Sequence, residues 1–282
     1  MAQLLEGKKI ADKIIAEIKA QFIALNRQPV LACILVGDNA GAEAYVKSQA
    51  KIAESLGVTY QLHKFAALVS EVELGEFIKQ LNSEKSVNGI ILQMPLPKHL
   101  DYEKLVSQIE PKKDVEGLHP ENMGKLICGS SSGRVVPCTA NAVMELLNST
   151  QVDLRGLEAV IVGRSKIVGK PLALLLLEKS VTVTVCHSAT SKAGKLQEHV
   201  NRAQILIVAT GKAELIKGSW IKEGAIVLDV GINRVEGKLI GDVEFKPAEE
   251  RASFITPVPG GVGPLTVAML MRNLLACVKA QL

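Results

Sequence analysis

An α/β protein with two parallel-sheet domains is what this chain predicts, and three observations carry the prediction. Apolar runs of strand length alternate with segments of helical spacing over residues 10–92, and the alternation returns over residues 159–230. The second run opens on Val160–Pro171, V-I-V-G-R-S-K-I-V-G-K-P, where an apolar run stops at Gly163 and a helix-like segment starts near Ile167. A β–α–β order implies parallel strands joined by helical crossovers. At 282 residues the chain is long enough to bury two cores.

Taken in order, Ile10, Ile14, Ile18 and Phe22 recur at near-helical spacing and predict an amphipathic helix that Pro29 ends. Val30–Val36 reads as a strand stopped by Gly37-Asp38-Asn39, and Ala42–Leu56 as a helix closed by Gly57. Val58–Phe65 is a strand, Glu71–Leu81 a helix and Val87–Leu92 a strand. Gln93-Met94-Pro95-Leu96-Pro97 then lies past the carboxyl end of that strand, where open parallel sheets bind ligands. Asp101–Ile109 reads as a helix, Lys112–Pro120 as a charged loop and Gly129–Gly133 as a serine-rich surface loop. Ala140–Leu147 is a connecting helix, with a domain boundary near Thr139.

The second alternation supplies strands Ala159–Val162, Thr182–Cys186, Ile205–Ala209 and Ala225–Val230, with helices from Ile167 and from about Lys192. Ser253–Pro264 is too dense in proline and glycine for regular structure, and Pro264 opens a last helix, Leu265–Lys279. That helix is apolar on most faces, so it must be buried, packed back onto the first domain. The expected division is residues 1–139 with 265–282, and residues 140–264, around a cleft.

Composition excludes several functions. A formal charge of +4, dispersed along the chain, does not suit nucleic acid, and 3% aromatic residues provide no stacking platform for bases. Cys33, Cys128, Cys138, Cys186 and Cys277 are odd in number and widely spaced, which predicts neither a metal site nor a disulfide framework. Glu6, Lys8, Lys9 and Asp12 are out of place in a secretory leader, and the apolar run Pro171–Leu177 falls short of a membrane span. The expectation is a cytosolic protein with no membrane partner.

Two groups of residues are candidates for chemistry. A strand that stops on glycine before a helix exposes backbone N–H groups at a positive helix end, which suits a phosphate. Dinucleotide folds that take NAD place a carboxylate at the end of the next strand, to bind the ribose diol. Here that strand ends Cys186-His187-Ser188, and Arg164 stands in the glycine turn, which favours the extra phosphate of NADP. In the first domain Tyr45 and Gln49 share a helix face at i, i+4, while Lys47 and Lys51 point elsewhere. Gln93 and Glu116 join them in lining a polar cleft, and the proline–glycine run Thr256–Pro264 brings backbone close to a ligand. Taken singly, Tyr45, Gln49 and Glu116 fit plain structural roles better than catalytic ones, and Arg164 and His187 also have plain readings as a solvated turn residue and a surface histidine.

The segments YVKSQAK from Tyr45, QMPLP from Gln93, KDVEGLHP from Lys113, PCT from Pro137, GRSKIVGKP from Gly163, DVGIN from Asp229 and TPVPGGVGP from Thr256 stand in order along the chain. With them the chain resembles, nearly end to end, the methylenetetrahydrofolate dehydrogenase/methenyltetrahydrofolate cyclohydrolase family. The resemblance implies a cytosolic homodimer with a Rossmann-like NADP-binding C-terminal domain, carrying out two successive reactions on tetrahydrofolate derivatives. It implies that Tyr45 stacks on the folate, that Gln93 hydrogen-bonds near the reacting centre and that Glu116 holds the pterin edge. Gly260, Gly261 and Pro264 would wall the substrate site. Gly163, Arg164, Ser165, Ile167, His187, Ser188, Thr210 and Gly211 would hold the cofactor, with Ile232 near the nicotinamide.

Four positions depart from the family's pattern. Gln49 stands where Y-V-x-x-K has its catalytic lysine, Glu116 replaces an aspartate, Ala42 a serine, and Ala140 the last proline of P-C-T-P. An amide has no titratable proton near neutral pH, so the expectation is dehydrogenase activity with weak or absent cyclohydrolase activity.

Overall fold

The structure is a computed structural model that describes residues 1–25, 27–129 and 134–282, so four of the serine-rich loop's five residues lie outside the described residues. In chain order the elements are β1 (Gln3–Leu4), α1 (Gly7–Ala24), β2 (Val30–Val36), α2 (Ala40–Ser55), β3 (Thr59–Phe65), α3 (Glu71–Ser83), β4 (Val87–Leu92), α4 (Tyr102–Val106) and α5 (Pro120–Ile127). Then follow α6 (Cys138–Ser149), β5 (Glu158–Val162), α7 (Gly169–Glu178), β6 (Thr182–Cys186), α8 (Ser188–Lys192), α9 (Leu196–Arg202), β7 (Ile205–Val208) and β8 (Ile226–Asp229). The chain closes with β9 (Asn233–Val235), β10 (Lys238–Ile240), α10 (Phe245–Arg251), β11 (Phe254–Ile255) and α11 (Val262–Lys279).

These elements form two compact units, Met1–Asp12 with Thr139–Thr266, and Lys13–Cys138 with Val267–Leu282. The second holds a parallel sheet in the order β3-β2-β4. Every strand in it is followed by a helix or a return loop, so β2 and β4 are covered on both faces and read as unbroken apolar runs. Helix α2 begins earlier than periodicity suggests because the Asn39 side chain caps it, accepting from the Ala42 N–H at 2.9 Å. Ser70 does the same for α3. The last helix belongs to this unit from Val267 on. Asn273 donates to the Val115 and Val136 carbonyls at 2.9 and 2.8 Å, and Gln281 reaches the Asn88 carbonyl at 2.8 Å.

The other unit is a six-stranded sheet in the order β1-β11-β8-β7-β5-β6, parallel throughout. Read from β5, this is the doubly wound order in which the first strand lies between the second and the third. Its core packs Val160, Val162, Leu206, Val208 and Val227 against Leu196, Val200 and Ala248.

Several expectations change. Met1–Asp12 goes with the six-stranded unit, because β1 pairs with β11 at the sheet's edge. The run Ser253–Pro264 is not wholly irregular: Phe254–Ile255 is a strand, and α11 opens at Val262. Pro264 therefore sits inside the first turn rather than at its start, where its missing N–H still costs no intrahelical bond. The helix foreseen near Lys192 is two short ones, parted at Gly194 with φ 70°. Lys112–Pro120 is no plain charged loop. Lys113 is buried and donates to the Leu81, Asn82 and Glu84 carbonyls, at the end of α3. Helix α11 is long and apolar enough to cross a membrane, but 67% of it is buried, as in a core helix.

Candidate functional site

In the six-stranded unit the strand order turns back between β5 and β7, and a crevice opens past their carboxyl ends. A cavity of about 270 Å³ lies there, lined by Gly163, Arg164 and Ser165 after β5, His187, Ser188 and Ser191 after β6, and Thr210 and Lys212 after β7. Gly163 has φ 135°, and a Cβ on it would meet the Ala209 carbonyl oxygen at 2.4 Å. A Cβ on Gly169 would meet the Gly163 carbonyl oxygen at 2.1 Å. Both glycines are therefore demanded by close backbone approach, as a phosphate cradle requires. Ser165 accepts from the Val168 N–H at 3.1 Å, which holds residues 165–168 in a turn and delays α7 to Gly169.

The cations Arg164 and Lys212 line this cavity, and no carboxylate is among its described lining residues. His187 caps α8: its Nδ1 accepts from the Ala189 N–H at 3.3 Å, which leaves Nε2 as the ring donor. The donor set thus suits a polyanion. Thr210 and Gly211 are held from behind by a residue that sequence reasoning missed. Asp242, fully buried, accepts from the Thr210 N–H at 2.6 Å, the Thr210 hydroxyl at 2.9 Å and the Gly211 N–H at 2.9 Å. Asp229 in turn accepts from the Asp242 and Val243 N–H groups, and burial pushes its carboxyl up to about 7. The available signal was a pair of aspartates set in apolar surroundings.

Ile167 and Ile232, 37% and 57% exposed, do not line this cavity, although the structure sets the Ile232 side chain against Gly263. Gly260, with φ 110°, and Gly261 pack on the chain's beginning. The Gly7 N–H donates to the Gly260 carbonyl at 3.0 Å, and a Cβ on Gly7 would overlap the Gly261 carbonyl oxygen. Pro264 follows in the first turn of α11.

The three-stranded unit gathers the other candidates. Gln49 on α2 is 2% exposed and donates from Nε2 to Gln93 Oε1 at 3.3 Å, just past β4. Gln93, itself 8% exposed, donates to the Met94 carbonyl at 3.0 Å. Tyr60 on β3, not foreseen from sequence, donates its hydroxyl to Gln49 Oε1 at 2.7 Å. Lys47 and Lys51 face solvent. Tyr45 lies one turn before Gln49; burial, then the neighbouring Cys138 and Glu116, raises its phenol above the ordinary range and keeps it neutral.

Asp114, 1% exposed, organises the loop that presents Glu116. It accepts from the Glu116, Gly117 and His119 N–H groups at 3.2, 3.0 and 2.8 Å, and from Asn122 at 2.9 Å. Glu116 keeps some surface exposure, but its carboxyl is crowded by protein. Desolvation first, and the nearby Asp114 second, push it up to about 8 against a backbone hydrogen bond at Leu92. The Cys33 thiol beneath Tyr60 is pushed up to about 12 by burial, so it is no nucleophile at neutral pH. The arrangement offers a neutral aromatic, two amides and one carboxyl of tunable charge. It can bind and orient a flat polar ring.

The chain matches two family models: the tetrahydrofolate dehydrogenase/cyclohydrolase catalytic domain over residues 5–116, and the NAD(P)-binding domain of the same family over residues 137–282. It is 50% identical over 280 residues to the bifunctional protein FolD 2 of Myxococcus xanthus, covering 97% of this chain and 95% of that one. The crystal structure of the bifunctional FolD methylenetetrahydrofolate dehydrogenase/cyclohydrolase from Campylobacter jejuni superposes with a TM-score of 0.95 at 42% identity, covering 100% of both chains. The Trypanosoma brucei methylenetetrahydrofolate dehydrogenase-cyclohydrolase, solved with NADP and an inhibitor, gives 0.94 at 38% identity, covering 99% of this chain and 98% of that one.

Proposed function

The chain belongs to the tetrahydrofolate dehydrogenase/cyclohydrolase family, a bifunctional scaffold that uses NADP, and from that premise we propose that it oxidises 5,10-methylenetetrahydrofolate to the methenyl form while Gln49 leaves hydrolysis to 10-formyltetrahydrofolate weak or absent. The observation that carries the second half is the buried amide at position 49, tied to Gln93 and Tyr60.

The oxidation needs little acid–base help. As hydride leaves the one-carbon bridge, the lone pairs of the flanking nitrogens stabilise the cation that remains, so orientation and electrostatics supply the catalysis. NADP, when bound, supplies the hydride acceptor. In this reading Arg164 and Lys212 neutralise its phosphates, and His187, Ser188 and the Gly163–Ser165 turn donate to it. Thr210 and Gly211 are presented by Asp242, and Ile167 and Ile232 flank the cofactor. On the substrate side Tyr45 offers a neutral ring face to a system that becomes cationic, which is an attractive contact. Gln93 orients the reacting edge and Glu116 accepts from the pterin N–H groups; a substrate role for Gly260, Gly261 and Pro264 rests on the resemblance alone.

Hydrolysis differs. Water must lose a proton as it attacks the methenyl carbon, and a proton must then reach a ring nitrogen. A lysine at position 49 with a lowered pKa can serve both transfers; glutamine can serve neither. A cytoplasmic homodimer working in one-carbon metabolism, with purine synthesis among its consumers, completes this reading on the strength of the resemblance. The test follows NADPH formation and methenyltetrahydrofolate hydrolysis in the protein and in Gln49→Lys. NADPH formation in both, with hydrolysis at least about tenfold faster in the lysine variant, is expected. Equal hydrolysis rates would reject the role given to Gln49.

A further inference from the structure

The hydrogen-bond chain through Gln49 has a direction. The Tyr60 hydroxyl donates to Gln49 Oε1 at 2.7 Å, Gln49 Nε2 donates to Gln93 Oε1 at 3.3 Å, and Gln93 Nε2 donates to the Met94 carbonyl at 3.0 Å. The two ends of a primary amide are nearly the same size, so the partners decide which end faces which way. Gln93 gives its Nε2 to the Met94 carbonyl, so it turns Oε1 to Gln49 and is satisfied by an N–H there. Tyr60 favours the same orientation from the other side: its hydroxyl lies against Cys33, whose sulfur is a weak acceptor, and the Gln49 carbonyl is the stronger acceptor that it meets.

We infer that Tyr60 is a positioning residue for this site: it holds the Gln49 amide with its N–H toward Gln93, and so keeps the Gln49–Gln93 pair in one arrangement beside the substrate. The inference rests on the proposed dehydrogenase reading and deepens it. It also bears on hydrolysis. The Gln49 carbonyl is the one group of that side chain able to accept a hydrogen bond from an attacking water, and Tyr60 occupies one of its two lone pairs, which leaves one for that weak water-orienting role.

A lysine at position 49 removes the need for Tyr60. An ammonium only donates, so it meets Gln93 Oε1 with no choice of end, and the Tyr60 hydroxyl turns to accept from it. The test is a cycle of four proteins: the unaltered chain, Tyr60→Phe, Gln49→Lys and the double variant. With Gln49 present, Tyr60→Phe lowers the dehydrogenase kcat about fivefold, the size of one neutral hydrogen bond, and leaves the KM for NADP in place. In the Gln49→Lys background the same change costs less than about twofold. A purely structural tyrosine would cost the same in both backgrounds, and that outcome overturns the inference. Side-chain amide proton–nitrogen spectra supply a reading that needs no activity. Tyr60→Phe shifts the Gln49 and Gln93 NH₂ signals, and unshifted signals overturn the inference. Shifted signals in a protein that forms no NADPH would sustain the positioning role and reject the dehydrogenase reading instead.

Discussion

Glu116 is the residue whose charge the surroundings most control. Its carboxyl is pushed from 4.5 up to about 8 by burial, with Asp114 adding repulsion, and no cation figures among the influences on it. The folded state therefore holds this proton at pH values where the unfolded chain has released it, and stability falls as pH rises from about 4.5 to about 8. Asp229, pushed from 3.8 up to about 7, contributes in the same direction over its own interval. Urea unfolding of Glu116→Gln across this range should show a shallower decline than the unaltered protein, and an identical decline would sink the assignment. Substrate capture follows the opposite sign. If the carboxylate is what accepts from the pterin edge, kcat/KM for the folate rises as pH passes through about 8, and Gln49→Lys moves that rise to lower pH by placing a cation nearby. The identities of Tyr45, Gln49, Gln93 and Glu116 were legible as candidates from spacing and loop position. Their protonation was not, because it depends on atoms brought from other elements.

At the scale of elements, the turn between β5 and α7 and the loop after β7 line one cavity, and different forces shape them. The first is built locally: Gly163 and Gly169 permit backbone contacts that a Cβ would forbid, and Ser165 closes the turn. The motif therefore announced itself in sequence, down to Arg164 and Ser165, though α7 begins later than apolar periodicity suggested. The loop after β7 is built at a distance, since Asp242, which holds Thr210 and Gly211, lies 32 and 31 residues away. In Asp242→Asn one face of the side chain becomes a donor facing the N–H groups of that loop. Steady-state kinetics should show the KM for NADP raised about tenfold, with the KM for the folate little changed. A folate KM that rose equally would mean a general loss of structure. The division of the helix expected from about Lys192 into α8 and α9 was not foreseen for a related reason: at 5 and 7 residues, each is too brief to display a helical period.

Across the whole molecule, the last helix shows how a distant segment completes a core. Leu274 is fully buried, and its Cδ1 would lie 2.8 Å from a Cβ on Gly89, so the absence of a side chain on β4 makes its seat. Leu274→Ala should cost about 2–5 kcal/mol in chemical denaturation, the range for emptying a leucine site in a core. A loss below about 1 kcal/mol would show that the seat collapses around the smaller residue. The return of this helix to the first part of the chain was foreseeable, because an apolar helix must be covered by something. The departure of Met1–Asp12 to the six-stranded unit was not, because a two-residue strand carries no pattern and gains its place only by pairing with β11. By itself the sequence determined the alternation of strands and helices, the glycine turn and the amide at position 49. Each of these is written in neighbouring residues, whose spacing and backbone freedom act locally. Only the tertiary structure decided that the Tyr60 hydroxyl meets the Gln49 carbonyl, that Gln49 reaches Gln93 from 44 residues away, that Asp242 holds the loop after β7 and that burial raises the Glu116 carboxyl. Hydrogen-bond direction and desolvation are properties of groups that meet only once the chain has folded.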